Sequence, residues 1–175
     1  MRYILAIDVQ RDFVTGALGT AEARAMIPAL EKKLRAHEGA IWLTQDSHGQ
    51  DYLDSQEGRK LPQLHAQRDS EGWRLLDFVE DLVHQGRARV FEKSTFASLE
   101  LALAVRADWE AGLLTELELV GLCTDICLVS NALLIKAHVP ELALSVDPRC
   151  CAGTSPERHR AALLVLESCQ VELRS

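Results

Sequence analysis

Aromatic side chains make up only 5% of this 175-residue sequence, proline occurs five times and glycine ten, and no apolar run approaches the length of a membrane span. So little Pro and Gly excludes collagen-like repetition and leaves no linker to divide the chain, which points to one domain over residues 1–175. Clustered positive charge is missing too. The 19 Lys and Arg are scattered and outnumbered by 26 Asp and Glu, for a formal net charge of −7. Phosphate backbones require a concentrated basic footprint, so nucleic acid is not an expected partner. The opening from Met1 reaches a carboxylate at Asp8, too early for a signal-peptide core or a membrane span, and a cytoplasmic protein with no membrane partner is expected. The five cysteines, Cys123, Cys127, Cys150, Cys151 and Cys169, are odd in number and form neither a C-x-x-C pair nor a zinc-finger spacing. A disulfide framework is therefore not implied, and reduced thiols are the default. What the chain does have is 47% apolar residues. A domain of this size buries roughly 70% of the surface its unfolded form exposes, so neither disulfides nor a structural metal are needed to fold it.

Short apolar runs of strand length alternate with longer amphipathic stretches of helical period throughout. Strand candidates lie at residues 3–7, 40–44, 88–92, 116–121 and 141–146, with a short terminal run at 170–173. Helix candidates fill residues 21–37, 73–85, 99–111 and 127–137. A last helix is announced by Ser155-Pro156-Glu157, a capping hydroxyl, proline at the first helical position and a carboxylate at the positive end. This βαβ rhythm predicts an α/β fold, a three-layer α/β/α sandwich around a mostly parallel sheet of about six strands. Residues 45–72 break the rhythm, and a loop that long in a compact domain is usually functional or disordered. Its two histidines, several carboxylates and Pro62 favour function.

In an open parallel sheet, ligands bind beyond the carboxyl ends of the strands. Those positions carry Asp8, then Thr44-Gln45-Asp46-Ser47-His48, then Glu92-Lys93, then Gly121-Leu122-Cys123-Thr124-Asp125-Ile126-Cys127. Any one of them is more often a capped strand end or a surface charge, but complementary chemistry at four successive ends points to a site. Cys127 is the sharpest candidate: with Thr124 or Asp125 capping a helix that starts there, the positive helix end would favour a thiolate. The remaining cysteines read as buried structural thiols. His37, His84, His138 and His159 fall at helix ends or on helices, where solvent or dipole contacts suffice.

The segments Asp8-Val9-Gln10-Arg11-Asp12-Phe13, Asp46-x-His48, Lys93-Ser94-Thr95-Phe96 and Gly121-x-Cys123-Thr124-Asp125-x-Cys127 resemble, in order and spacing, the isochorismatase-like cysteine hydrolases, known best through the nicotinamidases. The likeness runs over nearly the whole chain. It implies a catalytic triad of Asp8, Lys93 and Cys127, an oxyanion hole from the backbone N–H groups of Cys123 and Cys127, and a cis peptide between Leu122 and Cys123. It also implies a metal-binding loop with Asp46, His48, Glu57 and His65 as ligands to a divalent ion, zinc first, with iron and manganese as alternatives. On residue types alone, an Asp-x-His pair on a loop is usually solvated, and a lone histidine such as His65 is more often a surface or hydrogen-bonded residue than a ligand. Members of the family commonly assemble, so a homo-oligomer is expected.

The chain departs from the nicotinamidase pattern where Pro62-Gln63-Leu64-His65-Ala66 replaces a Pro-x-His-Cys segment, and where Leu61 stands near the usual position of an aromatic ring. Phe13, Phe96 and Trp73 are the candidates to replace that ring, and Phe13 and Phe96 are placed on the substrate side. The resemblance implies a cysteine-dependent amidohydrolase acting on a small amide, nicotinamide leading, through an acyl-thioester, with release of ammonia and a carboxylic acid. A ureide or carbamoyl amidohydrolase and an inactive small-molecule-binding domain of the same fold are the alternatives. Isochorismatases proper lack the nucleophilic cysteine, so Cys127 argues against vinyl-ether hydrolysis.

Overall fold

A computed structural model describes residues 1–174. Six strands, β1 (Arg2–Ile7), β2 (Ile41–Asp46), β3 (Ala88–Lys93), β4 (Glu116–Leu122), β5 (Ala143–Ala152) and β6 (Glu172–Leu173), form one sheet in the order β3-β2-β1-β4-β5-β6, every pair parallel. The helices are α1 (Arg11–Val14), α2 (Ala21–Ala36), α3 (Gln56–Lys60), α4 (Asp77–His84), α5 (Leu99–Glu110), α6 (Val129–His138) and α7 (Pro156–Ser168). α2 packs with α4 on one side, while α5, α6 and α7 pack in series on the other, as right-handed crossovers running outward from β1 and β4 require. The expected α/β/α sandwich is thus observed. No helix among the described residues is long and apolar enough to cross a membrane.

The central strands are buried on both faces, and so read as unbroken apolar runs such as Tyr3-Ile4-Leu5-Ala6-Ile7. α2 begins where the Thr20 hydroxyl accepts the Ala23 N–H at 3.0 Å, and it buries Ala23, Met26, Leu30 and Leu34 along one stripe. α7 starts as its sequence announces, with Ser155 accepting from the Arg158 N–H and proline at the first helical turn.

Four expectations need correction. α4 starts at Asp77, not at residue 73, because Leu75 is drawn into a bridge with Gln10 and Leu76 stays extended. β5 begins two residues later than expected and continues to Ala152, past Pro148. There residues 147–150 stand opposite Val120 alone, and this bulge spares proline a ladder hydrogen bond. Cys127 lies in the first helical turn as expected, but that turn, Thr124–Leu128, is of π type, leads into α6 and starts without a side-chain cap, Cys123 standing at its N-cap. Cys150 and Cys151 are buried as expected, but Cys169 is exposed and Cys123 only partly covered.

β1 and β4 are adjacent, and the connections leave them in opposite directions, so the crevice above their carboxyl ends is the topological switch point where ligands bind in such sheets. Gly121 makes that closeness possible. Its φ is +107°, and a Cβ there would lie 2.3 Å from the Ile7 carbonyl oxygen on the neighbouring strand.

Candidate active site

The four strand ends singled out in the sequence converge above this crevice. Asp8 follows β1 with φ of +47°, a left-handed conformation uncommon for a residue with a Cβ. Two contacts from β2 hold it: the Thr44 hydroxyl donates to Asp8 Oδ1 at 2.6 Å and accepts the Asp8 N–H at 3.1 Å. Lys93, at the end of β3, places its ammonium 2.8 Å from Asp8 Oδ2, 3.2 Å from Asp46 Oδ1 and 3.6 Å from Cys127 Sγ. All three side chains of the Asp8, Lys93 and Cys127 group are buried.

Burial pushes the Asp8 carboxyl up, against the pull of Lys93, and the Asp46 charge pushes it further. Burial likewise raises the Cys127 thiol well above its ordinary value, with the Asp8 charge adding and Lys93 opposing. Burial alone would depress the Lys93 ammonium, yet the charges of Asp8, Cys127 and Asp46 outweigh it and hold the lysine protonated. Burial thus favours the thiol over the preformed thiolate expected from a helix end. A single proton on either Asp8 or Cys127 would be balanced by the Lys93 ammonium. Passing that proton from sulfur to carboxylate leaves the net charge of the trio unchanged, so the transfer brings no new net charge into the dry site.

Thr124 and Asp125 do not cap a helix for Cys127. Thr124 Oγ1 pairs with His159 Nδ1 at 2.8 Å, and the Asp125 carboxylate accepts the Thr154 N–H at 2.8 Å and the Thr154 hydroxyl at 2.5 Å. The turn is tied to the start of α7, and His159 has a specific partner where solvent or dipole contacts were expected. The Leu122–Cys123 peptide is cis, and the Cys123 carbonyl accepts the N–H groups of Ile126 and Leu128, each at 3.1 Å. The Cys123 thiol is pushed up to about 12 by burial and by Asp125 and Asp8.

Beside Lys93, Asp46, His48 and His65 bring ligand atoms within 4.8 Å of one another. His48 Nε2 stands 3.0 Å from Asp46 Oδ2, His65 Nε2 stands 4.0 Å from the same oxygen, and Glu57 Oε1 lies 3.9 Å from both imidazoles. His65 Nδ1 meets the Gln63 carbonyl at 2.8 Å, which puts the proton on that nitrogen and leaves Nε2 as a free ligand atom. His48 Nε2 is buried, and its 3.0 Å approach to Asp46 Oδ2 does not have the angles of a hydrogen bond. An orphaned imidazole nitrogen facing a second imidazole and two carboxylates suits a divalent ion of borderline character. Three of the four expected residues, Asp46, His48 and His65, are thus clustered, and Glu57 stands outside that cluster on its more exposed side.

Several supporting residues escaped sequence reasoning. Gln10 is fully buried; its amide donates to the Asp46 and Trp73 carbonyls, both at 2.8 Å, and accepts the Asp46 N–H at 2.7 Å. Asp12 accepts the N–H of Ala66, the residue after His65, at 2.8 Å. Tyr52 packs its ring on both imidazoles, and its hydroxyl is pushed up to about 12 by burial and by Glu57 and Asp46. The signal for Gln10 and Asp12 lay in the opening motif, whose polar residues follow a strand end. Phe13 packs edge-on to His65, with ring centroids 5.7 Å apart, and Phe96 is half-exposed beyond β3. Trp73 is tied to the histidine loop, its indole donating to Ser47 at 2.6 Å, and lines a recess with Val83 and Val90 that includes none of Asp8, Lys93, Cys127, His48 or His65.

The isochorismatase domain model matches residues 2–175. This chain belongs to the isochorismatase family. An uncharacterized isochorismatase family protein, PncA of Bacillus subtilis, is 30% identical to this isochorismatase domain over 91% of each chain. The crystal structure of nicotinamidase PncA from the same organism is 25% identical, with a TM-score of 0.83 and 99% of both chains covered. A pyrazinamidase of Pyrococcus horikoshii, solved in complex with zinc, shares the fold at 22% identity, with a TM-score of 0.82 and 99% and 98% of the two chains covered.

Proposed function

We propose that this isochorismatase-family protein hydrolyses a small amide, with nicotinamide the first candidate, through a thioester on Cys127. The observation that carries this reading is a single ammonium, Lys93, touching both Asp8 and Cys127 at the switch point of the sheet. Likeness to nicotinamidase and pyrazinamidase structures supports the substrate class.

Asp8 accepts the thiol proton as Cys127 Sγ attacks the amide carbon, with Lys93 balancing the charge wherever the proton sits. The negative charge developing on the carbonyl oxygen is received by the backbone N–H groups of Cys123 and Cys127. Asp8 returns its proton to the departing nitrogen, the C–N bond breaks, and ammonia leaves behind an acyl-thioester. Asp8 then takes a proton from water as the water oxygen attacks the thioester, and that proton passes to sulfur as the carboxylic acid is released. Phe13 and Phe96 provide the apolar contacts for the acyl group.

Asp46, His48, His65 and Glu57 are the residues that would hold a divalent ion, and zinc is favoured by the two imidazoles and by the zinc complex of the Pyrococcus relative. When bound, such an ion supplies a Lewis-acid anchor for a ring nitrogen or a water.

Ammonia release should be measured over nicotinamide, pyrazinamide and a set of ureides, with mass spectrometry of the acid-quenched enzyme. One amide should turn over with an acyl adduct on Cys127, and Cys127→Ala should abolish both. Turnover that survives Cys127→Ala would overturn the mechanism, and turnover of ureides alone would move the substrate to that class.

A further inference from the structure

Asn131 is fully buried on α6, one helical turn beyond the nucleophile, and takes no part in the chemistry described above. Its side-chain nitrogen donates to two backbone carbonyls, Cys127 at 2.8 Å and Phe96 at 3.0 Å, while its oxygen accepts the Ser98 N–H at 3.0 Å. The partners fix the amide's orientation, since a backbone N–H can only meet the oxygen and carbonyls only the nitrogen. One nitrogen touching both carbonyls brings the Phe96 backbone against that of the nucleophile. Ser98 is in turn the cap of α5, its hydroxyl accepting the Leu101 N–H at 3.2 Å. Two elements far apart in sequence thus meet on one side chain: the Cys127 turn and the segment that carries Phe96 away from Lys93.

We infer that Asn131 is a positioning residue that locks the Phe96 segment to the nucleophile turn and so sets the acyl side of the substrate pocket. The inference rests on the hydrolase function proposed above. Only an amide fits the task. A threonine hydroxyl has a single proton for two carbonyls, and an aspartate has none and would face both oxygens with negative charge.

The test compares Asn131→Ala and Asn131→Asp with Phe96→Ala and the Asn131→Ala/Phe96→Ala double variant, on whichever amide the screen finds. Asn131→Ala should raise KM about tenfold, with a smaller fall in kcat. In the double variant KM should match that of Phe96→Ala alone, because Phe96→Ala keeps the carbonyl that Asn131 bonds but removes the ring through which Asn131 acts on the substrate. Asn131→Asp should be at least as impaired as Asn131→Ala. Additive KM effects, or an unchanged KM with only a lowered Tm, would overturn the proposal by making Asn131 a structural residue. Amide hydrogen exchange needs no substrate, and it separates this failure from failure of the hydrolase reading. Exchange at residues 96–98 and around Cys127 should quicken together in Asn131→Ala, and quickening at one segment alone would also overturn the link.

Discussion

At the scale of single residues, the site depends on positions that are costly to build. Gly121 has a positive φ and no room for a side chain against Ile7, so Gly121→Ala should lower stability by about 3 kcal/mol or more, read from a shift in the denaturant midpoint. A midpoint close to wild type would mean that β1 and β4 can separate at the crevice. Lys93→Met removes the one cation shared by Asp8 and Cys127, and kcat should fall at least ~100-fold without loss of the fold, checked by steady-state kinetics beside circular dichroism. Gln10→Ala deletes three hydrogen bonds that hold Asp46 and its neighbours, and should weaken divalent metal binding about 10- to 100-fold in a competition titration against a chromophoric chelator. Asp8, Lys93 and Cys127 were legible in the sequence because they stand at or just beyond strand ends, within segments that resemble the family's motifs. Asn131 was not, because a buried amide looks in sequence like any surface amide until its backbone partners are known, and Gln10 stood out only as a member of the opening motif, without a role.

At the scale of elements, the nucleophile turn and the histidine loop are both held from outside. The turn hangs on Thr154 and His159 at the start of α7, while the loop from Asp46 to Gln67 is closed by a bridge between His48 and Gln67 and by Asp12 on Ala66. The attachments lie at the two ends of the segment, while residues 49–64, among the described residues, hydrogen-bond only with one another and with His65, so a bound ion joining Asp46, His48 and His65 should tighten it. Exhaustive chelation should therefore speed amide exchange in residues 46–67 and leave β1 and β4 protected, and metal return should reverse it. Identical exchange with and without chelator would make these side chains a polar cluster instead of a metal site. The elements themselves were largely readable from periodicity. Where reading failed, tertiary pairing overrode local pattern: Gln10 pulls Leu75 out of a helix, and the bulge opposite Val120 carries β5 through Pro148, where the sequence looks like a loop.

At the scale of the whole molecule, the strand order joins chemistry at one end of the sheet to an ion network beneath α2. Lys33 on α2 reaches Glu118 of β4 at 2.9 Å and Asp147 of β5 at 2.8 Å, while Arg2 pairs with Glu118 at 2.8 Å and Arg149 with Asp147 at 3.0 Å. Both carboxylates are buried, so each needs its cations; losing one partner would strand a charge against the sheet. Burial pushes the Asp147 carboxyl up, but hydrogen bonds from Arg149 and Lys33 and the charge of Lys33 outweigh it and hold the group at about 2. A folded-state value below that of the unfolded chain contributes stability that is fully present above pH ~4 and is lost as pH falls from about 4 to about 2. Asp147→Asn lacks that contribution at every pH. It should be less stable than wild type at pH 7 by about 1–2 kcal/mol, a figure kept low because Arg149 is largely exposed to solvent. The gap should narrow as acid protonates Asp147 in the wild type. Urea denaturation of both proteins from pH 7 down to pH 2.5 measures this directly. A constant gap would place the network's contribution in packing and shape, and a gap that widened in acid would mean that Asp147 is not held ionised by Lys33 and Arg149.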